Sequence, residues 1–168
     1  YDIEILWQAV THGANAVLPR SASGRRCWEE YNQLGYVPYD KIKESAARTL
    51  EYAFDDWSIY KLGQALGKPE KEIKVYAERA MNYKNLFDPE HNLMRGKLAN
   101  GEFAPNFNPF KWGDAFTEGN SLHYTWSVFH DPQGLIDLMG GNKEFNAMLD
   151  TVFILPPIFD DSYYGGVI

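Results

Sequence analysis

Helical spacing of apolar residues, punctuated by glycine and proline, is the feature that most restricts the fold of this chain. The strongest instance runs from about Lys41 to Leu66, and its apolar residues recur every three or four positions: Ile42, Ala46, Leu50, Ala53 and Trp57. Gly67 ends this run. Pro69 then suits the first turn of a second helix, which is expected to continue to Phe87. The pattern predicts a mainly all-α fold.

The N-terminal part of the chain combines a helix with a long connection. Residues 1–18 have one apolar side at helical spacing, and Pro19 ends that run. Residues 20–39 are rich in polar and turn-forming residues, but they include aromatic side chains that need cover. We therefore expect a structured loop there, of the kind that walls a cleft.

Shorter helices are predicted in the C-terminal part of the chain. Asp131 suits the N-cap of one helix, and Pro132 suits its first position. Gly140 and Gly141 end that helix, and Asn142 caps the last one, whose apolar stripe continues to the next proline. Short loops between consecutive helices favour hairpins packed side by side.

Residues 92–107 depart from the helical pattern. Short alternating pieces surround Asn100-Gly101, a dipeptide that favours a type I′ hairpin turn. A small β-hairpin is therefore expected within an otherwise all-α chain.

Length and composition exclude several classes of protein. The 168 residues are 45% hydrophobic and 15% aromatic, which suits the core of one ordinary domain. A net charge of -7 opposes binding to nucleic acid, and the apolar runs are too short for a membrane span. Cys27, the single cysteine, excludes an internal disulfide and leaves the compartment open. Because Tyr1 follows no leader, we expect a trimmed chain or an excised domain.

The densest group of polar and aromatic residues lies at 112–126, where an acid precedes a predicted helix. Sugar sites combine aromatic faces with carboxylates and amides, and the aromatic candidates here are Phe116, Tyr124 and Trp126. A glycosidase needs one carboxylic acid to protonate the departing oxygen and a second carboxylate to activate water or attack the sugar. Glu118 is the candidate acid; the alternative is that it caps the helix from solvent.

Other ionisable groups allow more than one interpretation. Glu51 and Asp55 lie one helical turn apart, either as sugar or cation ligands or as a solvated face with an Arg48–Glu51 pair. His123 and His130, seven residues apart, would share one face of an unbroken helix. Since zinc sites usually show tighter spacing, we expect two hydrogen-bonding histidines and no metal ligands.

Several strings of residues, spread over most of the chain, match one known family in order. They are Leu34-Gly35-Tyr36-Val37-Pro38, residues 49–57, residues 82–88, Leu93-Met94-Arg95, Phe116-Thr117-Glu118-Gly119-Asn120-Ser121 and His123-Tyr124-Thr125-Trp126. The chain resembles family 92 of the glycoside hydrolases, which are calcium-dependent, exo-acting α-mannosidases, often specific for α-1,2 linkages.

The resemblance implies the setting of the chain. Residues 1–168 would form a single partial domain, a fragment of an α/α toroid built from helix hairpins. The parent would be exported, to the periplasm, the cell surface or the exterior. Its partners would be mannose-containing glycans and the remaining domains of the same enzyme, with neither nucleic acid nor a membrane span involved.

The resemblance also implies roles for particular residues. The family's Thr-Glu-Gly-Asn glutamate is the general acid, which is Glu118 here, and Asn120 and His123 are weaker candidates for substrate contact. Hydrolysis would proceed with inversion. The base and much of the calcium coordination lie in strings that follow the equivalent of Ile168, so this chain alone is expected to be inactive and to bind no calcium. Leu122 stands where the family commonly has a bulky residue, often tryptophan, which bears on specificity.

Two alternatives remain open at this point. The chain could be a non-catalytic carbohydrate-binding or scaffolding helical module. A fragment cut from a toroid would also expose apolar faces and could self-associate to cover them.

Overall fold

The computed structural model describes residues 2–16, 24–158 and 160–166, and in these parts the chain is mainly helical, as predicted. The elements in order are α1 (Ile3–Asn15), α2 (Trp28–Leu34), α3 (Ser45–Ala65), α4 (Glu70–Arg79), a 3-10 helix (Ala80–Leu86), β1 (Phe87–Asp88), β2 (Leu93–Met94), α5 (Ser121–Tyr124), α6 (Pro132–Leu138), α7 (Asn142–Ile154) and a 3-10 turn (Ser162–Tyr164). None of the helices in these ranges has the length and hydropathy to cross a bilayer.

The connection predicted over residues 20–39 contains a helix, α2. Its Tyr31 is fully buried and lies edge-on to Tyr52, with 5.4 Å between ring centroids. Gly35 ends α2 with a φ of 77°, and its N–H donates to the Tyr31 carbonyl. The polar composition of this segment gave no sign of a helix, and burial of the Tyr31 ring stabilises that helix. The end of α1 predicted at Pro19 lies outside the described residues, and α1 ends at Asn15.

The long helix predicted from about residue 41 begins later. Glu44, at the N-cap of α3, adopts a left-handed conformation with a φ of 60°, so regular helix starts at Ser45. The second helix is also shorter than predicted, because its backbone tightens into the 3-10 helix at Ala80. Phe87 consequently lies in β1.

The first turn of α3 is capped by a distant loop. Glu44 makes no side-chain hydrogen bond to that turn. Its N–H donates to the Asp114 carbonyl at 2.7 Å, and the N–H groups of Ala46 and Ala47 donate to the Ala115 carbonyl at 2.9 and 3.1 Å. These N–H groups have no partner within their own helix. The loop carbonyls therefore complete the end of α3.

The β-hairpin is real but lies earlier than predicted. β1 and β2 pair antiparallel, with Phe87 opposite Met94 and Asp88 opposite Leu93. Within residues 95–107 the described pairing is an isolated bridge, from Lys97 to Phe103. The hairpin therefore only overlaps the start of the predicted range.

The turn at Asn100-Gly101 is not type I′. In this turn only Gly101 has a positive φ, of 91°. The Gly101 N–H donates to the Leu98 carbonyl at 2.9 Å, and the Leu98 N–H donates to the Glu102 carbonyl at 2.8 Å. This is the pattern of a three-residue loop that ends in a glycine bulge.

The main core lies where α3 packs against the 3-10 helix and the segments that follow it. Its buried members are Tyr36, Ala46, Leu50, Ala53, Tyr83, Leu86, Phe87, Met94, Ala115, Phe116, Val128, Leu135 and Met139. Ala115 and Phe116 belong to the same loop that caps α3. The core therefore anchors the segment just before Glu118.

The caps of the last helices agree with the sequence in one case of two. Asp131 caps α6, since its Oδ1 accepts from the Gly134 N–H at 3.0 Å, and Pro132 occupies the first turn. Asn142 is not the cap of α7: Gly141, with a φ of 116°, takes the N-cap position. The apolar stripe of α7 is covered only in part, because Phe153 remains 80% exposed.

A buried ion pair ties residues before α2 to α3. Arg25 Nη1 lies 2.7 Å from Asp56 Oδ1, and the Asp56 side chain is fully buried. The Tyr31 hydroxyl donates to the other Asp56 oxygen at 3.0 Å. Arg25 also lies over the Tyr52 ring, 4.9 Å from its centroid. Both charges are thus compensated within the core.

Replacing Asp56 with alanine leaves the buried Arg25 guanidinium with only the distant, exposed carboxylate of Asp55 as a counter-ion. We expect the free energy of unfolding to fall by about 3–5 kcal/mol, measured by chemical denaturation of the full-length protein with circular dichroism. Asp55 is the matched control, because its side chain is 58% exposed and lies 3.7 Å from Arg25. Asp55→Ala is expected to cost less than about 1 kcal/mol. Equal losses in both variants would contradict the role of the pair.

Candidate active site

Glu118 lies on a loop that is closed by backbone hydrogen bonds within the loop. The Gly113 N–H donates to the Gly119 carbonyl at 2.8 Å, and the Phe116 N–H donates to the Gly113 carbonyl at 3.1 Å. Gly113 has a φ of 88°, and a Cβ there would lie 2.6 Å from the Tyr163 ring, so only glycine fits. We call residues 113–119 the acid loop.

The backbone at Glu118 is strained. Its φ is 45°, in the left-handed region that residues with a Cβ rarely adopt. Such conformations cost on the order of 1–3 kcal/mol and persist where the surrounding structure enforces them. The Glu118 side chain is exposed. The acid loop therefore presents this carboxylate to solvent from a fixed backbone.

The cap of α5 is Asn120, which rules out the capping role considered for Glu118. Asn120 is 3% exposed, and its Oδ1 accepts from the His123 N–H at 3.2 Å. Among the described residues, no hydrogen bond or ion pair engages the Glu118 carboxylate. The Glu118 carboxylate can therefore contact a group that lies outside the described residues.

Asn120 also orients the ring of His123. Nδ1 of His123 lies 2.7 Å from Asn120 Oδ1, and since that oxygen only accepts, Nδ1 carries the proton. Nε2 is then the accepting nitrogen. The Trp112 ring lies edge-on to the imidazole, 5.3 Å away. These three side chains, with Leu122, line a hollow of about 370 Å³ that we call the His123 hollow.

A second hollow adjoins the acid loop at Thr117. Its volume is about 380 Å³, and it is lined by Glu44, Ala47, Arg48, Glu51, Tyr52, Thr117 and Tyr124. The Tyr124 hydroxyl donates to the Thr117 carbonyl at 2.8 Å. Burial raises the pKa of Glu51, and Asp55 nearby raises it further. We call this the Glu51 hollow.

Glu51 and Asp55, the acidic pair on α3, do not line the same hollow. Arg48 pairs with Glu44 at 2.7 Å, so the predicted Arg48–Glu51 pair is wrong. Asp55 lines a different hollow, beside Arg25, from the one that Glu51 lines. The two carboxylates therefore line different hollows, although Asp55 is near enough to raise the pKa of Glu51.

Of the aromatic candidates for sugar contact, Phe116 belongs to the core and Trp126 packs against it. Phe116 is 4% exposed, and Trp126 packs edge-on against Phe145 with 5.4 Å between ring centroids. Tyr124 lines the Glu51 hollow. Trp112 lines the His123 hollow. Sequence alone did not separate core rings from those that face a hollow.

The histidines make ordinary hydrogen bonds, as predicted. His123 bonds to Asn120, and His130 Nε2 lies 2.7 Å from the Ala80 carbonyl. The helix that carries His123 ends at Tyr124, so the two rings do not share a helix face. Burial lowers the pKa of His130, although the Ala80 carbonyl and Asp131 act in the opposite direction.

The lowered pKa of His130 predicts a pH dependence of stability. In the folded state His130 resists protonation, so the unfolded state binds more protons and stability falls as the pH drops below about 6.5. In His130→Gln, the free energy of unfolding should therefore change less between about pH 7 and pH 5 than in the wild type. Denaturant titrations at each pH measure this slope. His12→Gln, which removes an exposed histidine, is the control, and equal slopes in wild type and His130→Gln would contradict the prediction.

Within the described residues, one group of side chains has the proximity of metal ligands. The ligand atoms of Asp88, Glu90 and His91 lie within 4.8 Å of one another. Asp88 Oδ2, however, accepts from Arg95 Nη1 and lies beside His91 Nδ1, each at 2.9 Å. Ca²⁺ takes six to eight oxygen ligands, and a guanidinium on the carboxylate opposes a cation. This group does not fit calcium.

Sequence reasoning missed the side chains that hold the base of the acid loop. Asp114 accepts from Tyr39 and Lys111, and its φ is 64°. The spacing of Lys111 and Asp114 was the only local signal. Tyr39 lies 75 residues away in sequence, and nothing local indicates that contact.

Comparison with known proteins identifies the family of this chain. Residues 1–165 match the model of the glycosyl hydrolase family 92 catalytic domain. The chain belongs to glycosyl hydrolase family 92. The family resemblance found from the sequence is thus confirmed, and the chain is a fragment of the family's catalytic domain.

Solved family 92 structures from Bacteroides thetaiotaomicron are similar to this chain over nearly its whole length. An inverting mannosidase has a TM-score of 0.87 and 44% identity, covering 99% of this chain and 23% of that one. An α-mannosidase in complex with mannoimidazole has a TM-score of 0.84 and 35% identity, covering 96% of this chain and 21% of that one. These likenesses agree with the mainly helical fold and its small hairpin.

A curated relative gives the same picture. It is described as an uncharacterized secreted glycosidase of Arthroderma benhamiae and is 28% identical over 181 residues, covering 89% of this chain and 23% of the relative. The family 92 chain described here therefore spans less than a quarter of the length of the relatives that it matches.

Proposed function

We propose that this family 92 chain is part of an exo-acting α-mannosidase that removes terminal α-linked mannose from glycans with inversion, and that Glu118 is its general acid. The observation that carries the proposal is the placement of Glu118, an exposed residue with a strained backbone whose neighbours Thr117 and Asn120 each line a hollow. Support comes from the similar solved structures, which are mannosidases, one of them described as inverting.

In the proposed reaction, the protonated Glu118 donates its proton to the glycosidic oxygen as the bond to the terminal mannose breaks. A second carboxylate activates water on the opposite face of the ring, with the two carboxyls about 6.5–9.5 Å apart. We assign the base to parts of the protein beyond this chain. This chain alone is then expected to bind substrate weakly and to be inactive.

We further propose that His123 contacts the substrate and that Asn120 orients it. With Nδ1 donating to Asn120, Nε2 is the atom that would accept from a sugar hydroxyl. Leu122 lines the same hollow, so the size of this residue would affect which sugars fit. The role of Asn120 is then to hold both the first turn of α5 and the imidazole.

The wider setting of the enzyme is also proposed. α3 packs against α4 and the 3-10 helix that extends it, which supports helix hairpins of an α/α toroid. Export is supported by the description of the curated relative as secreted. We place the calcium ligands in other parts of the protein, because the Asp88 group does not fit this ion.

Glu118→Gln tests the general acid. In the full-length protein, its kcat/KM on a mannobiose should fall by roughly 100- to 10,000-fold, the usual contribution of general acid catalysis. A dinitrophenyl α-mannoside, whose leaving group departs without a proton, should be hydrolysed at a far smaller loss. Mannose release and dinitrophenol absorbance measure the two rates.

Glu51→Gln is the rival variant, because Glu51 is a neighbouring carboxyl with a raised pKa. It is expected to hydrolyse both substrates at rates near those of the wild type. The leaving-group pattern in Glu51→Gln rather than Glu118→Gln would show that the acid assignment is wrong. A full-length protein that binds mannosides without hydrolysing them would instead favour the non-catalytic carbohydrate-binding module.

His123→Phe tests the substrate contact. Phenylalanine keeps an aromatic ring beside Trp112 but removes both ring nitrogens, so kcat/KM on a mannobiose should fall about three- to tenfold, the loss of one net hydrogen bond. His12→Phe, a change at an exposed histidine on α1, is the control. Unchanged kinetics in His123→Phe would remove this residue from the proposed site.

A further inference from the structure

The carboxylate of Asp114, at the base of the acid loop, is held from two sides. The Tyr39 hydroxyl lies 2.9 Å from both Asp114 oxygens and donates to them. Lys111 Nζ lies 2.9 Å from Asp114 Oδ2. The side chains of Asp114 and Lys111 are partly covered, at 25% and 33% exposure. These contacts join the acid loop to the segment before α3.

Tyr39 is itself fixed by neighbouring backbone. Its N–H donates to the Lys97 carbonyl at 2.7 Å. A Cβ on Gly96 would lie 2.9 Å from the Tyr39 ring, so a glycine at that position leaves room for the ring. Burial raises the pKa of Tyr39 to about 12, and the hydrogen bond to Asp114 acts in the same direction. The phenol therefore keeps its proton and remains a donor at neutral pH.

The backbone transmits the position of Asp114 to Glu118. The Asp114 carbonyl accepts from the Glu44 N–H, and the Gly113 N–H closes the loop on the Gly119 carbonyl. Asp114 and Glu118 both have a positive φ, of 64° and 45°. In the part of the chain that is described, the Glu118 side chain has no partner of its own. Its location is therefore set by the backbone of the loop.

We propose that Asp114, held by Tyr39 and Lys111, is a positioning residue that fixes the acid loop and thereby the proton donor Glu118. This inference rests on the proposed function of Glu118. Asp114 does not touch the reacting atoms; it restricts the backbone that carries the acid. Loss of the restraint lets the carboxyl drift from the glycosidic oxygen, while substrate contacts in the His123 hollow are unchanged.

Tyr39→Phe and Asp114→Asn in the full-length protein test the restraint. Tyr39→Phe removes the hydroxyl donor, and Asp114→Asn removes the charge that Lys111 neutralises while keeping a side chain that tolerates a positive φ. A misplacement of about 1 Å can cost about 100-fold, so kcat on a mannobiose should fall roughly 10- to 100-fold in Tyr39→Phe. Asp114→Asn should show a smaller fall in the same direction, and KM should change by less than about twofold in both, because binding contacts persist.

The leaving group separates positioning from general damage. On a dinitrophenyl α-mannoside, which needs no proton donor, both variants should stay within about twofold of the wild type. Tyr36→Phe and Asp40→Asn are matched controls, since the Tyr36 hydroxyl donates to the Leu98 carbonyl and Asp40 accepts from the Ala99 N–H, outside the acid loop. Neither control should change the ratio of the two rates. Melting temperatures verify that all four variants fold.

The outcomes are distinct. A selective loss on the mannobiose in Tyr39→Phe and Asp114→Asn, alongside the same selectivity in Glu118→Gln, supports the inference. Equal losses on both substrates, or no loss on either, overturn it while leaving Glu118 as the acid. Full mannobiose activity in Glu118→Gln refutes the proposed function, and the positioning role is refuted with it.

Discussion

Hydrogen bonds between the first turn of α3 and the carbonyls of Asp114 and Ala115 are the interaction on which the rest of this structure depends. A helix end without partners is costly, and α3, the longest helix among the described residues, has no side-chain cap. The loop that supplies the carbonyls also carries Glu118. The central helix and the proposed acid therefore share one set of contacts, so a change that loosens one loosens the other.

Local signals in the sequence predicted most of the helices. The periodicity of α3 and the Asp131 cap of α6 depend on residues close together in the chain, and the structure confirms both. α2 was missed because its stability comes from burial of Tyr31 against α3, which composition does not reveal. The start of α3 and the hairpin register were misplaced for a similar reason. A residue such as Glu44 adopts a left-handed backbone because of the contacts around it, and its residue type does not indicate this conformation.

The candidate site was predictable where a short motif carried the information. The strings around Glu118 and His123 indicated the family, which comparison confirms. Side-chain surroundings were not predictable: Trp126 packs against the core, and the contact between Tyr39 and Asp114 spans 75 residues. An aromatic side chain can pack in the core or against a sugar equally well, so the residue type alone does not indicate which role it takes. Only the packing separates them.

The left-handed backbone at Glu118 sets stability and chemistry against each other. Glycine adopts such a φ without a steric penalty, so this position is one where glycine would relieve strain and make the fold more stable. Selection for thermal tolerance alone would therefore tend to discard the carboxyl. At this one position the residue that best suits the backbone and the residue that the proposed reaction needs are therefore different.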